Sequence, residues 1–253
     1  MRAYAHPRLR LAPPLAGLML LVLWQAADAW LDWSKFVLPA PLEVAGAFRR
    51  HFFQLMQNGW ITLTEAVLGF LLGSIVGIAA ATVSVLRPAI ARVIIPYAVL
   101  IKAIPIVVLA PLLVMWLGDG LISKIAMAAT AAFFPILVSG VSALHSVDQE
   151  WADLLRLHGA SNWQIYWMLR FPHALPEIFS ALKVGTSLAM VGAVVGEFTG
   201  SSRGIGHLIT TSTYYLNIDL VFAAAIVLGL MGIAFYGTIG LLERVIVFWR
   251  RSH

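Results

Sequence analysis

Apolar positions run in long, nearly uninterrupted blocks, separated by short polar intervals. No alternation of period two is sustained anywhere, so the pattern argues for helices buried on all sides or facing hydrocarbon. Six blocks approach the roughly 20 apolar residues that a spanning helix needs: Leu11–Leu31, Ile61–Leu86, Ile90–Leu117, Leu121–Leu144, Glu177–Phe198 and Leu220–Phe248. The third contains Pro96, Pro105 and Pro111 and is predicted to be one kinked span. The mixed segment Leu38–Gly59 is predicted to lie as an interfacial helix on the outer surface.

The interval Asp153–Pro172 breaks this pattern. It carries Asp153, Arg156, His158, Asn162, Gln164 and Arg170 between two apolar blocks. Ser146 and Gln149 have capping-box spacing for a helix over Val147–His158, and Ser161 with Gln164 repeats it for a second helix ending near Arg170. Gly159 is the expected left-handed terminator of the first helix. Pro172 and Pro176 are expected to punctuate the return to the membrane. Trp151, Leu154, Leu155 and His158 fall at helical spacing on the first helix, and Trp163, Tyr166, Trp167 and Arg170 on the second. A helix–Gly–helix hairpin projecting aromatic side chains suits a docking partner; the competing reading is an interfacial helix on the inner leaflet.

Composition agrees with a membrane location. Of 253 residues, 60% are hydrophobic and only 11% charged, against about 25% charged in soluble domains. There is no cysteine, hence no disulfide and no thiolate metal site. The net charge of +5 does not indicate nucleic acid, because the basic residues cluster at the ends of apolar blocks. Placing Arg2, Arg8, Arg10, Arg87, Arg92, Arg156, Arg170, Lys183, Arg244, Arg250 and Arg251 inside leaves only Lys35, Arg49, Arg50, Lys124 and Arg203 outside. The excess of inner positive charge predicts both termini, and the hairpin, in the cytoplasm. Arg8, Arg10 and the triplet Ala27–Ala29 also resemble a cleavable signal peptide, but a first spanning helix serves a polytopic chain as its own insertion signal.

Gly69, Gly73 and Gly77 recur every four residues in the second block, and Ala181, Gly185, Ala189 and Ala193 in the fifth, with Gly192 and Gly196 one step off. Such stripes let helix backbones approach closely; packing inside a bundle is the expected role, and lining a pathway is compatible with it. Lys102 is expected to snorkel toward the inner surface or to find a structural partner, with contact to an anionic solute as the alternative. Glu197 is expected to pair with Arg203 or to face a translocation path, and Glu65 to be interfacial. Gly200–Gly206 reads as a flexible outer loop or as a backbone anion nest. The seven histidines show no ligand spacing, and no nucleophile–base pair suggests an enzyme. The sequence G-x-x-x-x-G-K-S/T is absent, so the chain has no P-loop of its own.

The hairpin resembles the cytoplasmic motif of permeases from binding-protein-dependent ABC importers: E-A-A, three residues, G, nine residues, I, one residue, L-P. Here that spacing gives Asp153-Leu154-Leu155, Gly159 and Leu169-Arg170-Phe171-Pro172. Gly159 and Pro172 are identical, Asp153 keeps the charge, and Leu154 and Leu155 replace the two alanines. The stretch LHGASNWQIYWMLRFPHALPEIFSALK (Leu157–Lys183), with LPAPLEV (Leu38–Val44), PLLVMWLGDG (Pro111–Gly120) and GAVVGEFTGSSRGIG (Gly192–Gly206), is similar to the nitrate, sulfonate, taurine and pyrimidine-precursor permeases. The resemblance covers roughly Leu38–Phe248.

It implies an all-α polytopic protein of the type I importer permease fold, one permease domain over residues 1–253, in a bacterial inner membrane. It implies that a coupling loop, about residues 146–176, meets an ATPase subunit through Asp153, Leu154, Leu155, His158, Gly159, Ala160, Ser161, Trp163 and Pro172. Two ATPase subunits, a solute-binding protein and a second permease copy are the implied partners besides the lipid bilayer. ATP and magnesium would sit on the ATPase, with no cofactor on this chain. The rival is a secondary transporter or channel acting alone, which predicts inverted repeats or several intramembrane charges.

Overall fold

The computed structural model describes residues 12–31 and 37–249, and every regular element among them is helical. Among the described residues, four helices are long and apolar enough to cross a membrane: α3 (Phe52–Leu86), α6 (Leu121–His145), the continuous helix Asn162–Gly200, and α11 (Ile218–Ile246). α4 (Pro88–Ala103) and α5 (Ile106–Leu117) make a fifth if taken as one broken span. α1 (Ala12–Leu31) contains a described apolar stretch, Leu15–Ala26, that is shorter than a span. The expectation of six therefore stands at four or five over the described residues.

α6 runs between α3 and α9 (Phe171–Gly200) and touches both along its length. Glycine makes this possible from both sides. A Cβ on Gly73 would lie 2.5 Å from the Ala129 carbonyl oxygen, and one on Gly192 of α9 2.8 Å from Ala128 Cα. Gly69 and Gly77 of α3 approach Ala128–Ala129 and Phe133–Ile136 in the same way, and Gly185 of α9 approaches Ile136 and Phe70. Without a hydrophobic driving force between helices in lipid, such backbone proximity is what dispersion and shape complementarity need. Around it pack Phe70, Ala132, Ile136, Met190 and, edge to face with Phe70 at 5.2 Å, Phe235 of α11. The outward faces carry exposed Leu71, Leu72, Ile75 and Val76 on α3, a surface suited to hydrocarbon rather than water.

The third apolar block is two helices bent by 99° rather than one kinked helix. Ile104, held out of helical geometry by the proline after it, has φ −77° and ψ 121°, and Pro105 is the N-cap of α5. Pro96 and Pro111 lie inside α4 and α5 without ending them. The helix expected over Leu38–Gly59 is also shorter: α2 is Pro41–Arg50, and Phe52–Gly59 belongs to α3.

Between α6 and the last helices, α7 (Gln149–Leu157) leads through His158–Ser161 to α8 (Asn162–Ile165), a π-helical turn (Tyr166–Arg170) and α9. The expected break at Pro172 and Pro176 does not occur. The π turn pairs the Phe171 N–H with the Tyr166 carbonyl five residues back, shifting the bonding register just where Pro172 has no N–H to offer. The helix then continues through both prolines. At the end of the bundle away from α7 and α8, α10 (Ile205–Tyr214) packs among α3, α9 and α11.

Candidate functional site

At one end of the bundle, α7 and α8 form the polar interruption seen in the sequence. Ser161 and Gln164 cap α8 reciprocally: the Ser161 N–H donates to Gln164 Oε1 at 2.8 Å and the Gln164 N–H to Ser161 Oγ at 3.3 Å. Gly159 has φ +83° with open space around its missing side chain, so backbone conformation alone demands glycine there. The Ser146–Gln149 box does not form. Ser146 caps the C-terminus of α6, its hydroxyl donating to the Ala143 carbonyl at 2.8 Å, and α7 starts after Asp148. Asp153 is held by Arg156 at 2.6 Å and by Gln149 at 3.2 Å.

The loop exposes Trp151, Leu154, Leu157 and Trp163, with Leu157 at 85%. His158 is also exposed, its ring within 2.8 Å of the Leu154 carbonyl; Leu155 and Ala160 are half-buried. Tyr166, expected among the projecting aromatics, points inward instead. It is 1% exposed, its hydroxyl lies 2.7 Å from Thr82 Oγ1 of α3, and its ring stacks on Trp163. It anchors the loop rather than offering a docking surface. Pro172 sits in the first turn of α9.

At the other end, the Gly200–Gly206 segment is neither free nor an open anion nest. Its three successive N–H groups are taken by side chains: Gly204 donates to Asn58 Oδ1 at 2.8 Å, Ile205 to Thr62 Oγ1 at 2.8 Å, and Gly206 to Glu197 Oε2 at 2.5 Å. Thr62 in turn donates to Glu197 Oε1 at 2.6 Å. Of the three, the Gly206 N–H reaches Glu197 directly, and the Ile205 N–H reaches it through Thr62. Gly204, at φ +100°, brings its backbone so close to that carboxylate that no side chain fits. Glu197 is therefore turned inward and does not pair with Arg203, which is exposed.

Glu65 is likewise buried, beside Glu197 and Lys124, and not interfacial. Lys124, placed on the outer surface by charge bias, is 1% exposed; its ammonium donates to the Asp119 carbonyl and, at 3.1 Å, to Gly200. A cation on the last carbonyls of α9 is where a helix C-terminus favours one. Asn58, Thr62 and Glu65 fall four and three residues apart, one face of α3. That polar stripe at the edge of an apolar block was a visible signal that the sequence reading passed over.

Lys102 lies at the last turn of α4, exposed, with its ammonium 4.3 Å from the Phe134 ring centroid. It borders a cavity of 260 Å³ at the α4–α5 break, otherwise walled by Pro105, Leu109, Thr130, Phe133 and Leu188 among others. A second cavity of 360 Å³ opens beside Glu197, lined by Ser201, His207, Thr210, Thr211, Tyr214 and Tyr215 among others. Among the described residues no cluster of three or more His, Asp or Glu side chains is placed to hold a metal ion.

Residues 69–247 match the family described as binding-protein-dependent transport system inner membrane component. The riboflavin transport system permease protein RibX of Chloroflexus aurantiacus is 36% identical over 245 residues, covering 94% of this chain and 90% of RibX. A probable ABC transporter permease protein of Haemophilus influenzae is 35% identical over 241 residues, covering 94% of this chain and 98% of that protein. Among solved structures, a chain of the inward-facing MetNI methionine ABC transporter superposes with a TM-score of 0.69, covering 78% of this chain and 98% of its own length at 18% identity. That last likeness is one of fold.

Proposed function

The chain belongs to the family of binding-protein-dependent transport system inner membrane components, and from that premise we propose a division of labour in which it forms the solute path and a separate ATPase supplies the energy. It is an ABC importer permease. Two copies build the path in the inner membrane, both termini lie in the cytoplasm, two ATPase subunits carrying ATP and magnesium dock on residues 146–176, and a solute-binding protein delivers from the outer side.

The observation that carries this reading is the α7–α8 element. A bundle end that exposes Trp151, Leu154, Leu157 and Trp163 around a glycine-set bend presents apolar area that water penalises and a protein groove rewards. The element is also well placed to transmit force. Tyr166 fastens it to α3, and it leads without interruption into the 39-residue helix Asn162–Gly200, about 58 Å long at 1.5 Å per residue. The far end of that helix carries Glu197 and the latch on Gly206. Movement of the docked loop as the ATPases close is thereby carried along one continuous helix to its far end.

A small organic heterocycle of the pyrimidine- or thiamine-precursor kind is the preferred solute, ahead of a sulfonate, taurine or nitrate anion. The cavity at the α4–α5 break supports this preference, since its walls are predominantly apolar and aromatic. RibX, whose name assigns it riboflavin, supports it independently. Reconstitution in liposomes tests the assignment: uptake should require ATP, the ATPase and loaded binding protein together, and should be lost on Asp153→Lys. Uptake by the lone chain under an ion gradient would establish the secondary-transporter rival instead. Titrating the binding protein with a pyrimidine precursor, riboflavin, taurine and nitrate discriminates the solute classes.

A further inference from the structure

Apart from the loop and the outer latch, a cleft opens where α1, α2 and α11 meet. Its volume is 350 Å³, and its walls include Trp24, Val44, Ala45, Phe48 and Ile226, with Arg49 the one charged residue lining it among the described residues. Water gains little in such a space, because the walls offer it almost no hydrogen-bond partner. The size is that of a pocket for a small ligand.

The two arginines that end α2 are in different situations. Arg50 is engaged by Asp219 of α11 at 2.8 Å. Arg49 has no carboxylate partner among the described residues and is exposed at the cleft. α2 is ten residues long, too short to span a bilayer, and buries Val44 and Ala47 against the bundle. Phe52, Phe53 and Trp60, which follow on α3, are all exposed, Phe53 at 87%. Exposed aromatics at a helix end are the usual marker of the membrane–water boundary. A guanidinium at that boundary with no carboxylate partner among the described residues, opening onto a largely apolar cleft, calls for a ligand with an anionic head and a hydrocarbon tail.

We infer that this cleft binds a phospholipid of the outer leaflet, one acyl chain lying between α1, α2 and α11 and the phosphodiester held by Arg49. Guanidinium pairs with phosphate through two parallel N–H···O bonds, which favours Arg over a point charge here. Charge complementarity selects the phosphate, and the apolar walls select a lipid rather than free phosphate. The cleft shares no lining residue with the α4–α5 cavity or the α7–α8 loop.

The full chain in lipid nanodiscs or mild micelles, with 1-palmitoyl-2-oleoyl phosphatidylglycerol as probe, tests the inference by native mass spectrometry and lipid-titrated thermal shift. Wild type should retain the lipid. Arg49→Ala should bind it at least tenfold more weakly, and Ala45→Trp, which fills the cleft, should abolish retention. Arg50→Ala should keep the lipid, since Arg50 is committed to Asp219. If Ala45→Trp does not fold, Arg49→Gln, a surface change, carries the test. Undiminished lipid retention by the Arg49 variants would overturn the proposal. So would equal stabilisation by inorganic phosphate alone, which would make this a simple anion site, or a loss of dimer rather than of lipid in Ala45→Trp, which would make the cleft a seat for a second copy.

Discussion

Replacing Gly73 by alanine tests whether backbone proximity around α6 holds the bundle together. The added Cβ would stand 2.5 Å from the Ala129 carbonyl oxygen and 3.2 Å from its Cα. Carbon–oxygen contacts in proteins are seldom closer than about 3.3 Å, so α3 and α6 would have to separate by roughly 0.8 Å. Neither neighbour is the tip of a flexible side chain, so no rotamer change absorbs the strain. Overpacking of this kind costs about 1–3 kcal/mol, and the better helix propensity of alanine returns at most about 1 kcal/mol. The expected net loss is about 1–2 kcal/mol, near a tenfold change in the folding equilibrium.

Gly232→Ala on α11 is the matched control. Nothing lies within 4 Å of a Cβ there, so the same chemical change should be neutral or slightly stabilising. Gly192→Ala presses α6 from the opposite side at Ala128, and combining it with Gly73→Ala should give a non-additive loss because both act on one segment. Unfolding of the purified chain in mixed micelles, followed by tryptophan fluorescence, reads all four proteins. Equal stability of Gly73→Ala and Gly232→Ala would refute the argument.

Glu197→Ala removes the acceptor of the Gly206 N–H and one acceptor of the Thr62 hydroxyl, which keeps the Asn58 carbonyl at 3.2 Å; leaving the buried Gly206 N–H unpaired costs about 1–3 kcal/mol, and amide exchange over Gly204–Gly206 should accelerate while the α7–α8 loop is unchanged. Gly159→Val places a β-branched residue at φ +83°, at a cost of roughly 1–2 kcal/mol; uptake should fail with the protein still in the membrane, and normal uptake with normal ATPase co-purification would remove Gly159 from the coupling argument. Single cysteines in this cysteine-free chain should react with an impermeant reagent in intact cells at Gln57 and Ser202 and not at Asn162; labelling at Asn162 would end the cytoplasmic assignment of the loop.

Spanning helices, the capped start of α8 and the left-handed bend at Gly159 were legible because each depends on residues adjacent in the chain. Hydropathy over 20 residues, a Ser161–Gln164 pair three apart, and a glycine between two amphipathic turns need no partner from elsewhere. What failed depended on distant partners. Thr62 and Glu197 are separated by 135 residues, and nothing local distinguishes a Glu197 that seeks Arg203 from one that turns inward to bind Gly206. Lys124 carries the same charge in the sequence whether it faces water or the carbonyls of α9. Tyr166 matches a docking stripe by spacing, yet Thr82 on α3 claims its hydroxyl. Pro105 announced an irregularity, but whether it produced a kink or a 99° break depended on how α4 and α5 pack on their neighbours. Local sequence sets which conformations are inexpensive for a segment. Burial and hydrogen-bond partnership are properties of pairs of segments, and they exist only once α3, α6 and α9 have closed on one another.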